Sequence, residues 1–513
     1  MSCFLPFNSL SDNWESSFLK LTFDFVDFIV LEVLCEVWRP HEQVSSVSAS
    51  IILLSKHIFI ADKLTLKLNE NIFRSYDIRG IYGKDIDEHL AEQIGMAFGE
   101  LIGPGKKVLV GRDVRVSSPS LSKSLIKGVM SRGLDIVYAG VIPTPLLYFA
   151  ISHYKLDGGI TVSASHNPPE WNGFKVCRKD AYVVGLGTGL EIMRERIKKD
   201  AFAYVKEGRM EDMSSQITKE YLDSLSGKIE PLSGLKVGID PGNGAYSGLA
   251  TEIFKRKGAE VHAINDVPDG RFPSRSPEPN PTTIKELVNL VKSKGLDIGI
   301  AFDGDGDRVL FVTEAGEIIG GDVALALLVK EYLKSGEKVA YEPSCSSAVE
   351  DEIKEMHGVP LLTKVGHSNF KENMKRQKAR FGGEISGHMY FEETYGADDG
   401  LFGALKMAEL LQRRKKKLSE LVGQLPKYVK FYAEYDADDQ KKFGAVDRIK
   451  ADFSGMGYKI IDIDGVKAVT GDGWLLVRAS NTGPKIKISV EARTKKRLEE
   501  LKALVAKEMA AAI

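Results

Sequence analysis

Lys236-Val237-Gly238-Ile239-Asp240 reads as a basic residue, a short apolar strand, and an acid that enters a turn. Lys107-Val108-Leu109-Val110-Gly111-Arg112-Asp113 and Lys338-Val339-Ala340-Tyr341-Glu342 read the same way. Small or polar residues then open a helical pattern each time, at Ser117-Ser118, Asn243-Gly244-Ala245 and Ser344-Cys345-Ser346-Ser347. A strand that feeds a helix and recurs at roughly one hundred residues describes three related α/β units, a spacing too long for solenoid repeats. Chance likeness among short strands is the alternative reading.

Outward from these strands, short Val/Ile/Leu runs alternate with helical patterns from Asn69 onward, the signature of α/β architecture with largely parallel sheets. The character changes near Pro426, where a helix, several short strands and a charged final helix describe an α+β end domain. Polar or Gly/Pro residues near Ser214, Glu317 and Pro426 mark the boundaries. The expected domains are therefore 69–217, 218–318, 319–425 and 426–513. A length of 513 residues suits several cores better than one.

Residues 1–68 differ from the rest, with apolar stretches and almost no glycine. Asp12, Glu15, Asp24, Asp27 and Glu32 break every window long enough to cross a bilayer, and early positive charge is lacking. Neither a signal peptide nor a membrane span is expected, and the segment reads as a poorly ordered extension. Basic and acidic residues number 70 and 71, which removes the electrostatic footprint of a nucleic-acid binder. Any anion site must be built locally. Cys3, Cys35, Cys177 and Cys345 lie far apart without a Cys-x-x-Cys pair, which suits a reducing cytoplasm.

Four constellations carry chemistry. In Asp303-Gly304-Asp305-Gly306-Asp307-Arg308, between the apolar runs 298–302 and 309–312, three carboxylates alternate with glycines. Such a loop can curl so that all three acids converge on one hard cation. An EF-hand competes, because Glu314 stands twelfth from Asp303, but Arg308 occupies the sixth position that needs glycine and the flanks read as strands. Mg²⁺ sharing its sphere with a phosphate oxygen fits better than Ca²⁺.

Thr161-Val162-Ser163-Ala164-Ser165-His166-Asn167-Pro168-Pro169 is a strand that breaks into a rigid turn able to present Ser165, with His166 and Lys175 as nearby polarising groups. A simple turn is the bland alternative. Gly382-Gly383-Glu384-Ile385-Ser386-Gly387-His388 places Glu384 and Ser386 at alternate positions, on one side of an extended backbone, where they suit neighbouring sugar hydroxyls. A glycine-rich connection with a surface histidine is the competing reading. Arg478-Ala479-Ser480-Asn481-Thr482-Gly483-Pro484-Lys485 gathers donors in a tight turn that can cradle a phosphate, although hydroxyl-rich turns are common.

In this order the four motifs resemble the α-D-phosphohexomutase superfamily, most closely its phosphomannomutase/phosphoglucomutase branch, and Phe73-Arg74-Ser75-Tyr76-Asp77-Ile78-Arg79-Gly80 is similar to that family's opening segment. The resemblance spans Asn69 to the C-terminus. It implies three similar mixed-sheet α/β domains and a distinct fourth around a central cleft. It implies that Ser165 is a phosphoserine, that Ser165, Asp303, Asp305 and Asp307 hold one Mg²⁺, and that Arg308 assists the transferring phosphate. Glu384 and Ser386 would read sugar hydroxyls, and Arg478, Ser480, Asn481 and Thr482 would hold the phosphate that is not reacting. Tyr76, Arg79, Lys175 and His388 would line the cleft, with Arg79, Lys175 or His388 carrying protons. The implied partners are sugar phosphates, neither nucleic acid nor membrane, with a hexose 1,6-bisphosphate as activator.

Three departures bear on specificity. Glu342-Pro343-Ser344 stands where many relatives carry a lysine, and Lys364 and His367 nearby are the expected substitutes. Gly483 holds a place often taken by glutamate. Ile385 sits where phosphoglucosamine mutases tend to have glutamine, which favours mannose and glucose phosphates, with glucosamine phosphate as the alternative. A non-catalytic binding protein would need no serine at position 165, and a phosphatase would differ only in its product. Oligomeric state is open.

Overall fold

The computed structural model describes residues 68–513 apart from Tyr204, 439–440, 481–484 and Ile513. The extension expected over residues 1–68 lies outside them but for Leu68, as do Asn481 and Thr482. From Leu66 onward the chain is one compact unit.

The first sheet contains β1 (Ile78–Ile81), β2 (Lys107–Arg112), β3 (Asp135–Val141), β4 (Gly158–Val162), β5 (Trp171–Arg178), β6 (Tyr182–Val183) and β7 (Met210–Asp212). Its order is β1-β5-β4-β2-β3-β7, with β6 on β5. The second, β12-β11-β10-β8-β9, is built from β8 (Lys236–Asp240), β9 (Glu260–Ala263), β10 (Ile298–Phe302), β11 (Val309–Thr313) and β12 (Ile318–Ile319). The third, β14-β13-β15-β16, uses β13 (Lys338–Tyr341), β14 (Val359–Leu362), β15 (Phe381–Gly383) and β16 (Met389–Phe391).

One four-strand core recurs in all three. β3-β2-β4, β9-β8-β10 and β14-β13-β15 are parallel, and each is followed by an antiparallel neighbour, β5, β11 or β16. The three strands read as relatives, β2, β8 and β13, are the central strands of these cores. A parallel pair needs a covering helix, whereas an antiparallel pair needs only a short turn. The hairpin joining the last two strands of each core is therefore the free loop of its unit, and those loops are 163–170, 303–308 and 384–388. Three of the four chemical motifs occupy the same topological place.

The sheets are buried on both faces. Residues of all three units, among them Leu147, Phe302, Leu327, Phe381 and Phe402, join in one apolar cluster. The other faces carry separate clusters, such as Phe98, Val110 and Leu125 in the first unit and Leu287, Val291 and Val312 in the second. A shared inner core fixes the three loops relative to one another, because close-packed interiors yield little to deformation.

The fourth sheet is wholly antiparallel, β17-β21-β20-β19-β18, from β17 (Val429–Asp436), β18 (Lys459–Ile461), β19 (Val466–Thr470), β20 (Gly473–Ala479) and β21 (Lys485–Ala492). The helices Lys442–Gly455 and Lys495–Ala512 cover one face over Ile449, Phe453, Val477 and Leu501. The boundary expected after residue 217 falls inside the helix Ser214–Ser226, a continuous hydrogen-bonded segment.

Candidate active site

Ser165 sits at the turn between β4 and β5 with φ 50°, a left-handed conformation that costs a non-glycine residue about 1–2 kcal/mol. The surroundings impose it. Arg115, 0 % exposed and paired with Asp113 at 3.1 Å, donates to the carbonyls of Ser165 (2.9 Å), Asn167 (2.6 Å), Pro168 (2.5 Å) and Trp171 (3.0 Å). The Ser165 N–H donates to Ser163 Oγ at 3.0 Å. Ser165 Oγ then donates to Asp303 Oδ2 at 3.0 Å and lies 3.1 Å from His166 Nδ1. Burial and the cations Arg308 and Arg79 push the His166 imidazole well below its ordinary value, so it is neutral.

Asp303, Asp305 and Asp307 are buried, and one carboxylate oxygen of each lies within 4.8 Å of the others. The glycines between them are required by space. Gly306 has φ 77°, and a Cβ there would meet Tyr246 at 2.3 Å; a Cβ on Gly304 would lie 2.7 Å from the Ser165 carbonyl. Asp303 Oδ1 accepts from the Gly306 and Arg308 N–H groups at 2.9 and 3.2 Å. Lys175 Nζ bridges Asp305 (2.8 Å) and Asp307 (2.5 Å), and Thr144 Oγ1 donates to Asp305 at 2.5 Å. Burial alone would lower Lys175, but Asp305 and Asp307 outweigh it and hold the ammonium charged.

The donor set fits a hard divalent cation. Asp305 Oδ1 and Asp307 Oδ1 are buried without a hydrogen-bond partner. Burial and the charges of Asp307 and Asp305 raise the Asp303 carboxyl well above its usual range. Three clustered carboxylates beside one ammonium are short of positive charge, and a metal with oxygen ligands supplies it. The EF-hand alternative fails, since Glu314 turns away to accept the Ser419 N–H at 3.1 Å.

The third-unit loop differs from expectation in its backbone. β15 ends at Gly383, and residues 384–388 form a tight turn closed by Glu384 N–H to the His388 carbonyl and Gly387 N–H to the Glu384 carbonyl, both 3.0 Å. Glu384 and Ser386 are neighbours through that turn and not through strand alternation, with Ser386 Oγ 3.5 Å from Glu384 Oε2. Glu384 is buried and accepts the Gly366 N–H at 2.9 Å, whereas Ser386 is exposed. Glu342, in the place where a lysine is usual, accepts the Ile385 N–H at 3.0 Å and the Ser344 hydroxyl at 2.6 Å, so it braces this loop.

His388 joins the second and third units. Its Nδ1 is 2.9 Å from Asp398 Oδ2, and Arg308 Nε donates to its Nε2 at 3.0 Å. Burial pushes this imidazole down, but Asp307 and the bond to Asp398 outweigh it and raise its pKa to about 9. A doubly protonated ring would set an N–H against the Arg308 Nε–H. A cation on Asp307 would weaken the attraction that favours a second proton.

The opening segment and the fourth unit complete the cleft. Arg79 is paired with Asp77 at 2.6 Å and donates to Asn167 Oδ1 at 2.8 Å. The Tyr76 hydroxyl donates to the Val365 carbonyl (3.2 Å) and accepts from Asn369 (3.0 Å), and its ring packs edge-on against His367. Burial pushes the His367 imidazole down to about 4. Lys364 is exposed. Arg478, near the end of β20, pairs with Asp464 at 3.1 Å, and both influence the Tyr76 hydroxyl, which puts that end of the strand on the same cleft. Ser480 closes the β20–β21 hairpin, its N–H donating to the Lys485 carbonyl at 2.8 Å.

Sequence reasoning missed Arg115, Thr144, Asp398 and Asp464. Asp398 carried a signal, the acidic pair in Ala397-Asp398-Asp399-Gly400 before a helix. A buried arginine such as Arg115 carries none, because its carbonyl partners are invisible in sequence.

Four domain models match the chain in order: phosphoglucomutase/phosphomannomutase alpha/beta/alpha domain I over 70–202, domain II over 219–316, domain III over 320–428, and the C-terminal domain over 433–508. A phosphoglucomutase/phosphomannomutase of Thermococcus kodakarensis is 34 % identical over 449 residues, covering 84 % of this chain and 96 % of that protein. An Escherichia coli phosphomannomutase is 35 % identical over 434 residues, covering 82 % and 94 %. The crystal structure of a phosphoglucomutase/phosphomannomutase family protein from Burkholderia thailandensis superposes with a TM-score of 0.81 at 34 % identity, covering 87 % of this chain and 98 % of that one. With the four-domain architecture, the shared topology of the three loops and these matches in agreement, the chain belongs to the phosphoglucomutase/phosphomannomutase family.

Proposed function

We propose that the chain interconverts hexose 1-phosphate and hexose 6-phosphate, of mannose, glucose or both, through a phosphorylated Ser165 and a bisphosphorylated sugar. The carrying observation is the strained Ser165, whose Oγ is 3.0 Å from the acid triad in a cleft that also holds Glu384 and Arg478. Asp303, Asp305, Asp307 and a phosphoserine oxygen would hold Mg²⁺. When bound, the ion supplies neutralisation of the charge between Ser165 Oγ and the phosphoryl group.

In the forward half, the phosphorus–Oγ bond of Ser165 breaks as a sugar hydroxyl forms its bond to phosphorus, and the proton that the sugar hydroxyl loses ends on Oγ, which is left as the serine hydroxyl. After the bisphosphorylated sugar turns over, Oγ takes the other phosphoryl group. Of the proton carriers expected, Arg79 and Lys175 are cations held by carboxylates, and both nitrogens of His388 face protein partners. The neutral His166, 3.1 Å from Oγ, is placed to share a hydrogen bond with the serine hydroxyl. Arg478 and Ser480, with Asn481 and Thr482, would grip the phosphate at either end of the sugar. Lys364, His367, Tyr76, Glu384 and Ser386 would contact its hydroxyls.

A hexose 1,6-bisphosphate is the proposed activator, since it phosphorylates Ser165. The free, buried thiols of Cys177 and Cys345 suit the cytoplasm, and we set domain limits near residues 318 and 425 and, within the helix Ser214–Ser226, near 217. Glucosamine phosphate is the second candidate sugar, supported by a 35 % identical relative, a probable phosphoglucosamine mutase of Methanococcoides burtonii.

The test is incubation with mannose, glucose or glucosamine 1-phosphate, Mg²⁺ and a trace of hexose 1,6-bisphosphate, beside Ser165→Ala. A 6-phosphate product that vanishes in the variant is expected, and the rates rank the sugars. Free phosphate would make the protein a phosphatase, and no turnover a binding protein.

A further inference from the structure

We infer that Arg275, held by Asp240, is a positioning residue for the metal loop, because its guanidinium fixes the peptide that leads from β10 into Asp303. The inference rests on the reading of Asp303, Asp305 and Asp307 as a Mg²⁺ site. Whether the wild type binds Mg²⁺ there tests that reading, and whether the binding needs Arg275 tests the inference.

Asp240 is the acid that ends the central strand β8, and it is 1 % exposed. A carboxylate so buried needs a compensating partner. Arg275, buried as well, supplies it, with Nε donating to Asp240 Oδ2 at 2.8 Å. The other Asp240 oxygen accepts from the Gly242 N–H at 2.8 Å and from Asn265 Nδ2 at 3.2 Å. The guanidinium spends its remaining donors on carbonyls, Nη1 on Ser276 at 3.0 Å and Nη2 on Asp240 at 3.1 Å and Phe302 at 2.7 Å. A rigid planar fork suits such convergence in a way that a lysine's point charge does not.

The Phe302 carbonyl connects this cluster to the site. Phe302 closes β10, and its carbonyl shares one planar peptide with the N–H of Asp303. That N–H donates to the Arg308 carbonyl at 3.4 Å, so the plane is held from both sides at the first cation ligand. The guanidinium is itself pressed against Gly242, where a Cβ would meet Arg275 Cζ at 2.5 Å. The first unit uses the same arrangement. Asp113 follows β2 as Asp240 ends β8, and its arginine, Arg115, gathers the carbonyls of the serine loop. Phe272 links the two, its ring centroid 5.2 Å from the Arg115 guanidinium carbon and its edge 3.5 Å from where a Cβ on Gly304 would lie. An acid at the end of a central strand thus supports the neighbouring chemical hairpin through an arginine, supplied 2 residues later in one unit and 35 later in the other.

Arg275→Met alone would leave Asp240 a buried carboxylate without its cation and endanger the fold. The test variant is therefore Arg275→Met with Asp240→Asn, which removes both charges, keeps an acceptor for the Gly242 N–H and takes the guanidinium from the Phe302 carbonyl. Loss of an outer support of a metal site typically weakens metal binding about 10–100-fold. Calorimetric titration of the folded protein with Mg²⁺ is accordingly expected to give a Kd about 10–100-fold above that of wild type. A Kd within about twofold of wild type overturns the inference.

A control separates positioning from general loss of stability. Lys330→Met breaks the pair that Lys330 makes at 3.1 Å with Glu352 of the third unit, a carboxylate that is 1 % exposed. It should lower the denaturation midpoint and leave Mg²⁺ affinity at the wild-type value. An equal loss of affinity in this variant would make Arg275 a support of the fold alone and overturns the inference. A wild type that binds no Mg²⁺, or whose binding survives Asp305→Ala, overturns the metal reading itself, and the inference falls with it.

Discussion

Ser165 Oγ and Asp303 Oδ2 are 3.0 Å apart across 138 residues of sequence. The contact exists because hairpin loops of two repeated units meet, and it puts the candidate nucleophile at the edge of the candidate metal site.

Removing the metal should stop turnover reversibly. Chelation is expected to abolish activity and Mg²⁺ to restore it. A ligand held only by the folded state stabilises it by about 2.7 kcal/mol at one hundred times its dissociation constant. Saturating Mg²⁺ should therefore raise the melting temperature of the wild type and leave that of Asp305→Ala unchanged, as differential scanning fluorimetry would show. A rise in both would place the ion elsewhere.

Arg478→Ala should raise KM while sparing the serine. A hydrogen bond to a charged group contributes about 1.5–3 kcal/mol, roughly 10- to 150-fold in KM. Phosphorylation of Ser165 by hexose 1,6-bisphosphate, followed by intact mass, should still occur. An unchanged KM would remove Arg478 from phosphate binding.

Arg115→Met should cost both stability and rate. Breaking a buried ion pair from one side costs about 3–5 kcal/mol, and here four carbonyls of the serine loop lose their donor as well. The expected result is a lower denaturation midpoint with Ser165 phosphorylated more slowly. If the rate held while stability fell, the arginine would support the fold without shaping the loop.

Lys467 predicts a pH signature. Its ammonium is buried over the Trp474 ring at 4.0 Å and donates to the Pro343 carbonyl at 2.7 Å. Burial pushes its pKa down to about 8 against the pull of Glu491. Between that value and about 10.4, the ordinary lysine value, the unfolded chain binds the proton that the folded one has released. Stability contributed by this group therefore rises with pH across the window, by at most about 1.4 kcal/mol per pH unit. Denaturation midpoints of wild type minus Lys467→Met should climb from pH 8 to 10; a flat difference would mean the ammonium is not strained.

Much of this was legible in residues alone. β2, β8 and β13 announced themselves as related because a buried parallel strand is a run of apolar residues with little alternation. Asp303, Asp305 and Asp307 were readable as a cation loop because all three ligands come from six consecutive residues and the glycines that permit the curl stand between them. The Glu384–Ser386 pairing was right in neighbourhood and wrong in cause, since a tight turn, set by bonds to His388 and Gly387, replaced the expected strand.

Local order therefore belongs to the sequence: which segments form strands, where each core ends in a free hairpin, and which loops carry acid, hydroxyl or guanidinium. Whatever depends on partners far apart in the chain was decided by tertiary structure. Arg115 gathers four carbonyls, Asp398 meets His388 and then Arg308, and the left-handed Ser165 meets Asp303. The physical reason is that hydrogen bonds and charges act over a few ångströms, and a shared apolar core is what brings the three loops that close.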